Sequence, residues 1–327
     1  MSADGAGLGA RLREGDLSAA PATLNLLEST APEEREQRAA LLREVSPAAL
    51  GQEAPGHIIG VTGPPGVGKS TLLSALLRVW RERGQSVAML AVDPSSRRSG
   101  GSLLGDRARI DFEPGDAAVF IRSTAAGDRL GGLAPATRAA AQALAAAFDV
   151  VVIETVGVGQ AETEVAEVAD TVTVVVQPGS GDMLQFFKAG IMEIPDVVVV
   201  TKADLGELAT RTRDELSAAL RSLGPSASTP AGHVLAVSSL HPPQGIEELI
   251  AALEEHRAGI GLQQRRLRAR RAGALADFTR EHGERALHRL GGRRAAEAML
   301  ESQQPDLDAP AMAGILERAA GIEPEDA

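Results

Sequence analysis

Ile58-Ile59-Gly60-Val61 runs into Gly63-Pro64-Pro65-Gly66-Val67-Gly68-Lys69-Ser70, and Thr71-Leu72-Leu73 then opens a helical pattern that reaches Arg83. A strand-like run, a glycine-rich turn and a helix in that order are the context that a phosphate loop of the form Gly, four residues, Gly-Lys-Ser requires. Glycines let successive backbone N–H groups converge on a phosphate chain. Lys69 adds a positive charge near the β/γ-phosphates, the Ser70 hydroxyl suits Mg²⁺, and the helix that starts at Thr71 turns the positive end of its dipole to the same place. The stretch from Gly63 to Thr71 therefore predicts a nucleoside triphosphate site on an α/β fold.

The base is addressed further along. Val197-Val198-Val199-Val200 is followed by Thr201-Lys202-Ala203-Asp204, which falls on a loop at the carboxyl end of a strand, where open α/β sheets bind ligands. A carboxylate at Asp204 matches the N1 and N2 donors of guanine, and the stem of Lys202 packs on the base. Asn is the usual first residue of this tetrad; Thr201 keeps a hydroxyl and loses the amide. A second strand-like run, His233-Val234-Leu235-Ala236-Val237, ends in Ser238-Ser239-Leu240, which resembles a serine-containing loop whose backbone N–H meets the guanine oxygen. Two such loops behind a phosphate loop favour GTP over ATP.

Three segments offer carboxylates to the γ-phosphate and its metal. Val87-Ala88-Met89-Leu90-Ala91-Val92 delivers Asp93 to the sheet edge. The glycine-rich stretch Ser99-Gly100-Gly101-Ser102-Leu103-Leu104-Gly105-Asp106-Arg107 holds Asp106, and Val150-Val151-Val152-Ile153 ends in Glu154 before Gly157. Glu154 stands where Asp is more usual and reaches one methylene further, which suits contact through a water. Mg²⁺ takes octahedral oxygens and keeps several waters, so Ser70, two phosphate oxygens and water-bridged Asp93, Asp106 and Glu154 form a consistent donor set. Each acid taken singly also reads as a helix cap or a solvated turn. The expected catalytic group is Lys69, Asp93, Asp106 and Glu154; Gln160 and Arg107 are candidates for assisting hydrolysis.

These motifs carry a resemblance. Gly63–Thr71, Asp93-Pro94-Ser95-Ser96 with Gly100–Arg107, Gly131-Gly132-Leu133-Ala134, Glu154-Thr155-Val156-Gly157-Val158-Gly159-Gln160 and Lys188-Ala189-Gly190-Ile191-Met192-Glu193-Ile194 resemble the methylmalonyl-CoA mutase-associated GTPases, the MeaB/ArgK group of P-loop G proteins, over roughly residues 56 to 258. The resemblance implies a GTP-hydrolysing chaperone that cycles between GTP and GDP with Mg²⁺. It also implies binding to an adenosylcobalamin-dependent methylmalonyl-CoA mutase, gated cofactor loading and protection of that enzyme from inactivation. A homodimer joined through a C-terminal arm is implied as well.

Composition bounds the rest. With 327 residues and 44% hydrophobic content, the chain can bury one large core and carry extensions. Aromatics are 2%, with no Tyr and one Trp, so the core must be built of Val, Ile, Leu and Ala. No apolar run approaches the length of a membrane span and Met1-Ser2-Ala3-Asp4-Gly5 lacks a signal pattern, which reads as cytoplasmic with no membrane partner. The absence of Cys excludes disulfides and thiolate chemistry. A net charge of −11 disfavours nucleic acid. The basic run Arg265-Arg266-Leu267-Arg268-Ala269-Arg270-Arg271 reads as the solvated or inter-subunit face of a helix in preference to a phosphate patch.

Punctuation divides the chain into a helical extension (1–55), a P-loop GTPase domain (56–258) and a helical dimerisation arm (259–327). Within the middle part, strands are expected near 57–62, 86–92, 118–121, 149–153, 171–176, 197–201 and 233–237, with helices between most of them, the alanine-dense 136–147 included. This predicts a mostly parallel sheet covered on both faces. The C-terminal tail looks too polar to build a core of its own, so it is expected to pack on a second copy. Three further readings compete: a kinase linked to basic amino-acid transport, with Asp93 as base, a metal-insertion GTPase, and a non-hydrolysing GTP-binding scaffold. The six scattered histidines read as surface or packed residues in preference to ligands. Gln177-Pro178-Gly179-Ser180-Gly181 and the helical pattern Asp182–Lys188 are expected to form a nucleotide-sensitive switch, with Gln185 or Lys188 assisting hydrolysis.

Overall fold

The computed structural model describes residues 4–93, 110–113, 115–125, 133–155, 161–179, 195–222 and 234–322. The chain divides into two compact units: Met1–Gly56 with Pro135–Phe148 and Gly261–Ala327, and His57–Ala134 with Asp149–Ile260.

The second unit holds the sheet. Its strands are β1 (His57–Thr62), β2 (Val87–Asp93), β3 (Val119–Ala125), β4 (Val150–Thr155), β5 (Thr171–Val176), β6 (Val197–Val200) and β7 (Val234–Ala236). They lie in the order β3-β2-β4-β1-β5-β6-β7, and every pair is parallel. All seven expected strands are present, and the sheet is wholly parallel. The valine-rich runs are buried on both sides because helices cover both faces. Ile59, Val61, Val150, Val152, Val175, Val197 and Val199 pack with Leu72, Leu73, Leu76, Leu77 and Trp80 of helix Lys69–Glu82 and with Leu249, Ile250 and Leu253 of helix Ile246–Gly259. Val174, Val176, Val198 and Val200 point the other way, onto Ala209, Leu216 and Leu220 of helix Glu207–Ser222. Two-residue alternation along β5 and β6 thus feeds two separate cores.

Strand order places the site. After β1 the chain crosses to β2 beyond β4, and after β4 it crosses to β5 beyond β1, so the two connections leave the sheet in opposite directions. Open parallel sheets bind ligands at such a reversal, at the strands' carboxyl ends.

The first unit is helical: Gly5–Arg13, Ala20–Glu28, Arg35–Glu44, Pro47–Leu50, Pro135–Leu144, Leu262–Arg289, Arg293–Glu301 and Ala309–Ala319. Asp4, Ser46 and Asp308 cap three of these, each accepting a backbone N–H of the first turn. Helix Pro135–Leu144, expected as a crossover element of the sheet, groups with the two extensions. The expectation that the tail is too polar for its own core is corrected. Ala274, Leu275, Phe278, Leu287, Leu300, Met312 and Leu316 form a buried apolar cluster. Each helix offers only a narrow stripe, which looks insufficient when read singly. Turns at Gly291-Gly292 and before Asp308 bring three stripes together.

The basic run is corrected too. Arg266 and Arg270 are one helical turn apart and buried. Arg266 donates to the Ala54 and Gly56 carbonyls. Arg270 makes a bidentate pair with Glu53 at 2.8 and 2.9 Å and donates to the Pro305 carbonyl. These two guanidinium groups hold the segment that leads into β1 and are not a solvated face. Among the described residues, no helix is long and apolar enough to cross a membrane.

Candidate nucleotide site

β1 ends at Thr62, and the loop that follows needs conformations open only to glycine. Gly63 has φ 144°, and a Cβ there would lie 2.1 Å from the Val175 carbonyl oxygen on the neighbouring strand. Any side chain would push β5 away from the loop. Gly66 and Gly68 have φ 80° and 96°, and a Cβ on either would meet nothing within 4 Å. The space beside these two glycines is open, which leaves room there for a phosphate chain. Helix Lys69–Glu82 starts directly at its edge.

The Lys69 ammonium is buried and donates to the Gly63 carbonyl at 2.6 Å and the Pro64 carbonyl at 3.1 Å. Its charge is held over the loop. Register sets the next residue, because Val61 of β1 pairs with Glu154 of β4. The Glu154 carboxylate consequently reaches the mouth of the loop, where it accepts from the Ser70 hydroxyl at 3.4 Å. Two hard oxygens from different elements meet there, a donor set that fits Mg²⁺ beside a phosphate. Asp93 is the last residue of β2, two positions beyond Ala91, which itself lies opposite Glu154. Asp106, Arg107, Gln160, Gln185 and Lys188 lie outside the described residues. Ser74, one turn after Ser70, donates to the Ser70 carbonyl and accepts the Asp111 N–H at 2.9 Å; sequence reading missed this tie, although the one-turn spacing was visible.

The two base loops are joined. Ala203 N–H donates to the Val237 carbonyl at 2.9 Å, and the Ser238 hydroxyl donates to the Asp204 carboxylate at 2.7 Å. Leu240 N–H in turn donates to the Ser238 oxygen at 3.3 Å. Asp204, exposed, is thus held by the buried Ser238, 34 residues away, with Ser239 half-buried and Leu240 exposed beside them. Lys202 sits in the left-handed region, φ 57°. Its ammonium donates to the Gln177 side chain at the end of β5, a contact sequence reading did not foresee. Thr201 is buried, and its hydroxyl lies 2.7 Å from the Val67 carbonyl of the phosphate loop and 3.0 Å from that of Val176. Pro64, Pro65 and Thr71 are partly or fully exposed around the loop.

The model of one family, described as methylmalonyl Co-A mutase-associated GTPase MeaB, matches residues 20–289. The chain belongs to the MeaB family of GTPases. It is 44% identical over 255 residues to a probable GTPase of Mycobacterium tuberculosis, covering 77% of this chain and 74% of that one. It is 36% identical over 245 residues to the mitochondrial methylmalonic aciduria type A homolog of Mus musculus, covering 71% of this chain and 58% of that one. Among solved structures, LAO/AO transport system kinase matches 97% of this chain and 98% of its own, with a TM-score of 0.67 and 28% identity. MeaB-family membership makes this chain a GTPase that binds guanine nucleotide, and the paired base loops behind the phosphate loop are the local features that correspond.

His57 and His256 are engaged in packing, whereas His288 is exposed. His57 Nε2 lies 2.8 Å from the Thr171 hydroxyl, which lies 2.9 Å from His256 Nδ1, while His256 Nε2 lies 3.2 Å from Asp196. Glu281, His282 and Glu317 bring ligand-type atoms within 4.8 Å of one another. Arg35 is ion-paired to both glutamates, at 3.3 and 2.6 Å, so their charge already has a cation.

Proposed function

We propose that this GTPase is a chaperone of an adenosylcobalamin-dependent methylmalonyl-CoA mutase, gating cofactor loading and protecting the mutase from inactivation. The observation that carries the reading is the mutase-associated family match across residues 20–289, joined to a phosphate loop and base loops that lie on one sheet edge. Gly63–Thr71 hold the phosphates, Asp204 reads the base beside Lys202 and Ser238, and Leu240 borders it. Ser70 and Glu154 hold Mg²⁺ with Asp93 and Asp106; the ion, when bound, offsets charge that builds on the phosphates. Lys69 supplies the fixed positive charge near the transferred group.

Support for GTP over an ATP-dependent kinase activity comes from the Ser238–Asp204 contact, which orients a carboxylate toward where a purine edge with two donors would lie. The C-terminal helices are proposed to join two copies of the chain, and the cytoplasm is the proposed compartment. The test mixes the protein, loaded with GDP or with a non-hydrolysable GTP analogue, with purified mutase in apo and cofactor-loaded forms, and measures affinity by calorimetry. The expected result is a complex whose affinity depends on both nucleotide and cofactor state. No complex in any combination overturns the chaperone reading while leaving the GTPase intact.

A further inference from the structure

Thr201 occupies the first position of the base loop, yet its polar atom faces the phosphate loop. The Val176 carbonyl already accepts the Thr201 backbone N–H at 2.9 Å. A hydroxyl has one proton, and the shorter of its two contacts, 2.7 Å against 3.0 Å, is to Val67. The proton is therefore assigned to the Val67 carbonyl. A trans peptide is planar, with its C=O and N–H antiparallel. Holding the Val67 carbonyl against Thr201 turns the Gly68 N–H the opposite way. Gly68 borders the open space and its φ of 96° leaves the peptide without a strong preference of its own.

We infer that Thr201 is a positioning residue for phosphate binding: its buried hydroxyl sets the Val67–Gly68 peptide so that the Gly68 N–H is presented to the phosphate chain. The inference rests on the guanine-nucleotide reading of the site and deepens it, since it takes Thr201 out of base recognition. A methyl group in place of the hydroxyl makes the case sharper. Carbon needs about 3.3 Å or more from a carbonyl oxygen, so Thr201→Val must displace the Val67 carbonyl and tilt the peptide. Asp204, three residues on, keeps its own partner in Ser238.

The test is a binding series on the full chain: wild type, Thr201→Val, Thr201→Ala and Thr201→Ser against GDP, a non-hydrolysable GTP analogue, XDP and GMP, whose phosphate chain ends at the α-position. Thr201→Val and Thr201→Ala should bind GDP and the GTP analogue about tenfold more weakly. Both should change GMP binding far less and keep the wild-type preference for GDP over XDP. Thr201→Ser retains the hydroxyl and should stay close to wild type. Loosened packing alone would weaken GDP and GMP together, and that outcome overturns the inference. So does undiminished GDP affinity in Thr201→Ala, or a loss of guanine preference in either variant. A wild-type chain that fails to bind GDP would instead sink the guanine reading on which the inference stands.

Discussion

Asp204→Asn tests base recognition with a predictable geometry. In the wild type the Ser238 hydroxyl donates to one Asp204 oxygen at 2.7 Å, and the Leu240 N–H donates to the Ser238 oxygen at 3.3 Å. That chain of donors fixes the hydroxyl proton toward Asp204. In the variant, Ser238 still needs an acceptor, so the Asn oxygen turns to Ser238 and the amide NH₂ faces the ligand. Guanine then meets a donor where it offers donors of its own. A hydrogen bond to a charged acceptor is worth about 1.5–3 kcal/mol, so losing one or two such bonds costs about 3 kcal/mol, roughly a hundredfold in affinity. Xanthine carries a carbonyl in place of the 2-amino group and accepts from the amide. Competitive titration of GDP and XDP against a fluorescent nucleotide reads the exchange directly, and the variant should prefer XDP. Continued preference for GDP refutes the role assigned to Asp204 and the Ser238-driven amide orientation together.

Lys69→Ala should lower GTP turnover at least a hundredfold with the fold retained by circular dichroism and a modest fall in melting temperature, because the buried ammonium's bonds to the Gly63 and Pro64 carbonyls are lost; steady-state phosphate release at the wild-type rate contradicts the assignment. Glu154→Ala should raise the Mg²⁺ concentration needed for half-maximal turnover, and an unaltered Mg²⁺ titration makes Glu154 a structural partner of Ser70 only. Arg270→Ala leaves the largely buried Glu53 carboxylate without its bidentate partner, which should cost about 2–3 kcal/mol in urea unfolding; an unmoved midpoint shows that the segment before β1 is held otherwise. Burial pushes the Asp277 carboxyl above its ordinary range, against the attraction of Arg280 and Arg138. A raised folded-state pKa means that the ionised form weakens the fold above the unfolded value, so Asp277→Asn should raise the unfolding midpoint at neutral pH and lose that gain as the pH falls through the raised folded value toward about 4. A gain that persists in acid would point to packing as the cause.

Much of the fold was legible because its signals are local. Alternation of apolar runs with helical patterns depends on neighbours two to four residues apart, and it located all seven strands of the sheet. The phosphate loop was equally readable, since its glycines and its flanking strand and helix are contiguous from Ile58 to Arg83. Reading failed where one-dimensional polarity stood in for three-dimensional neighbours. Arg266 and Arg270 looked like a solvated face because Glu53 and the carbonyls of Ala54 and Gly56 are more than 200 residues away. The C-terminal helices looked coreless because no single one carries a broad apolar stripe.

The sequence by itself determined that a parallel α/β sheet would present a phosphate loop and two base loops at strand ends, in the right order along the chain. Only the tertiary structure decided what those loops do to each other. Thr201 reaches Val67 across 134 positions, Lys202 reaches Gln177, and Ser238 holds Asp204. These contacts follow from β1, β5, β6 and β7 lying side by side. A strand's own residues fix which way its side chains alternate. Which strand lies beside it, and therefore which distant carbonyl a buried hydroxyl meets, depends on how the whole sheet packs against the helices that cover it.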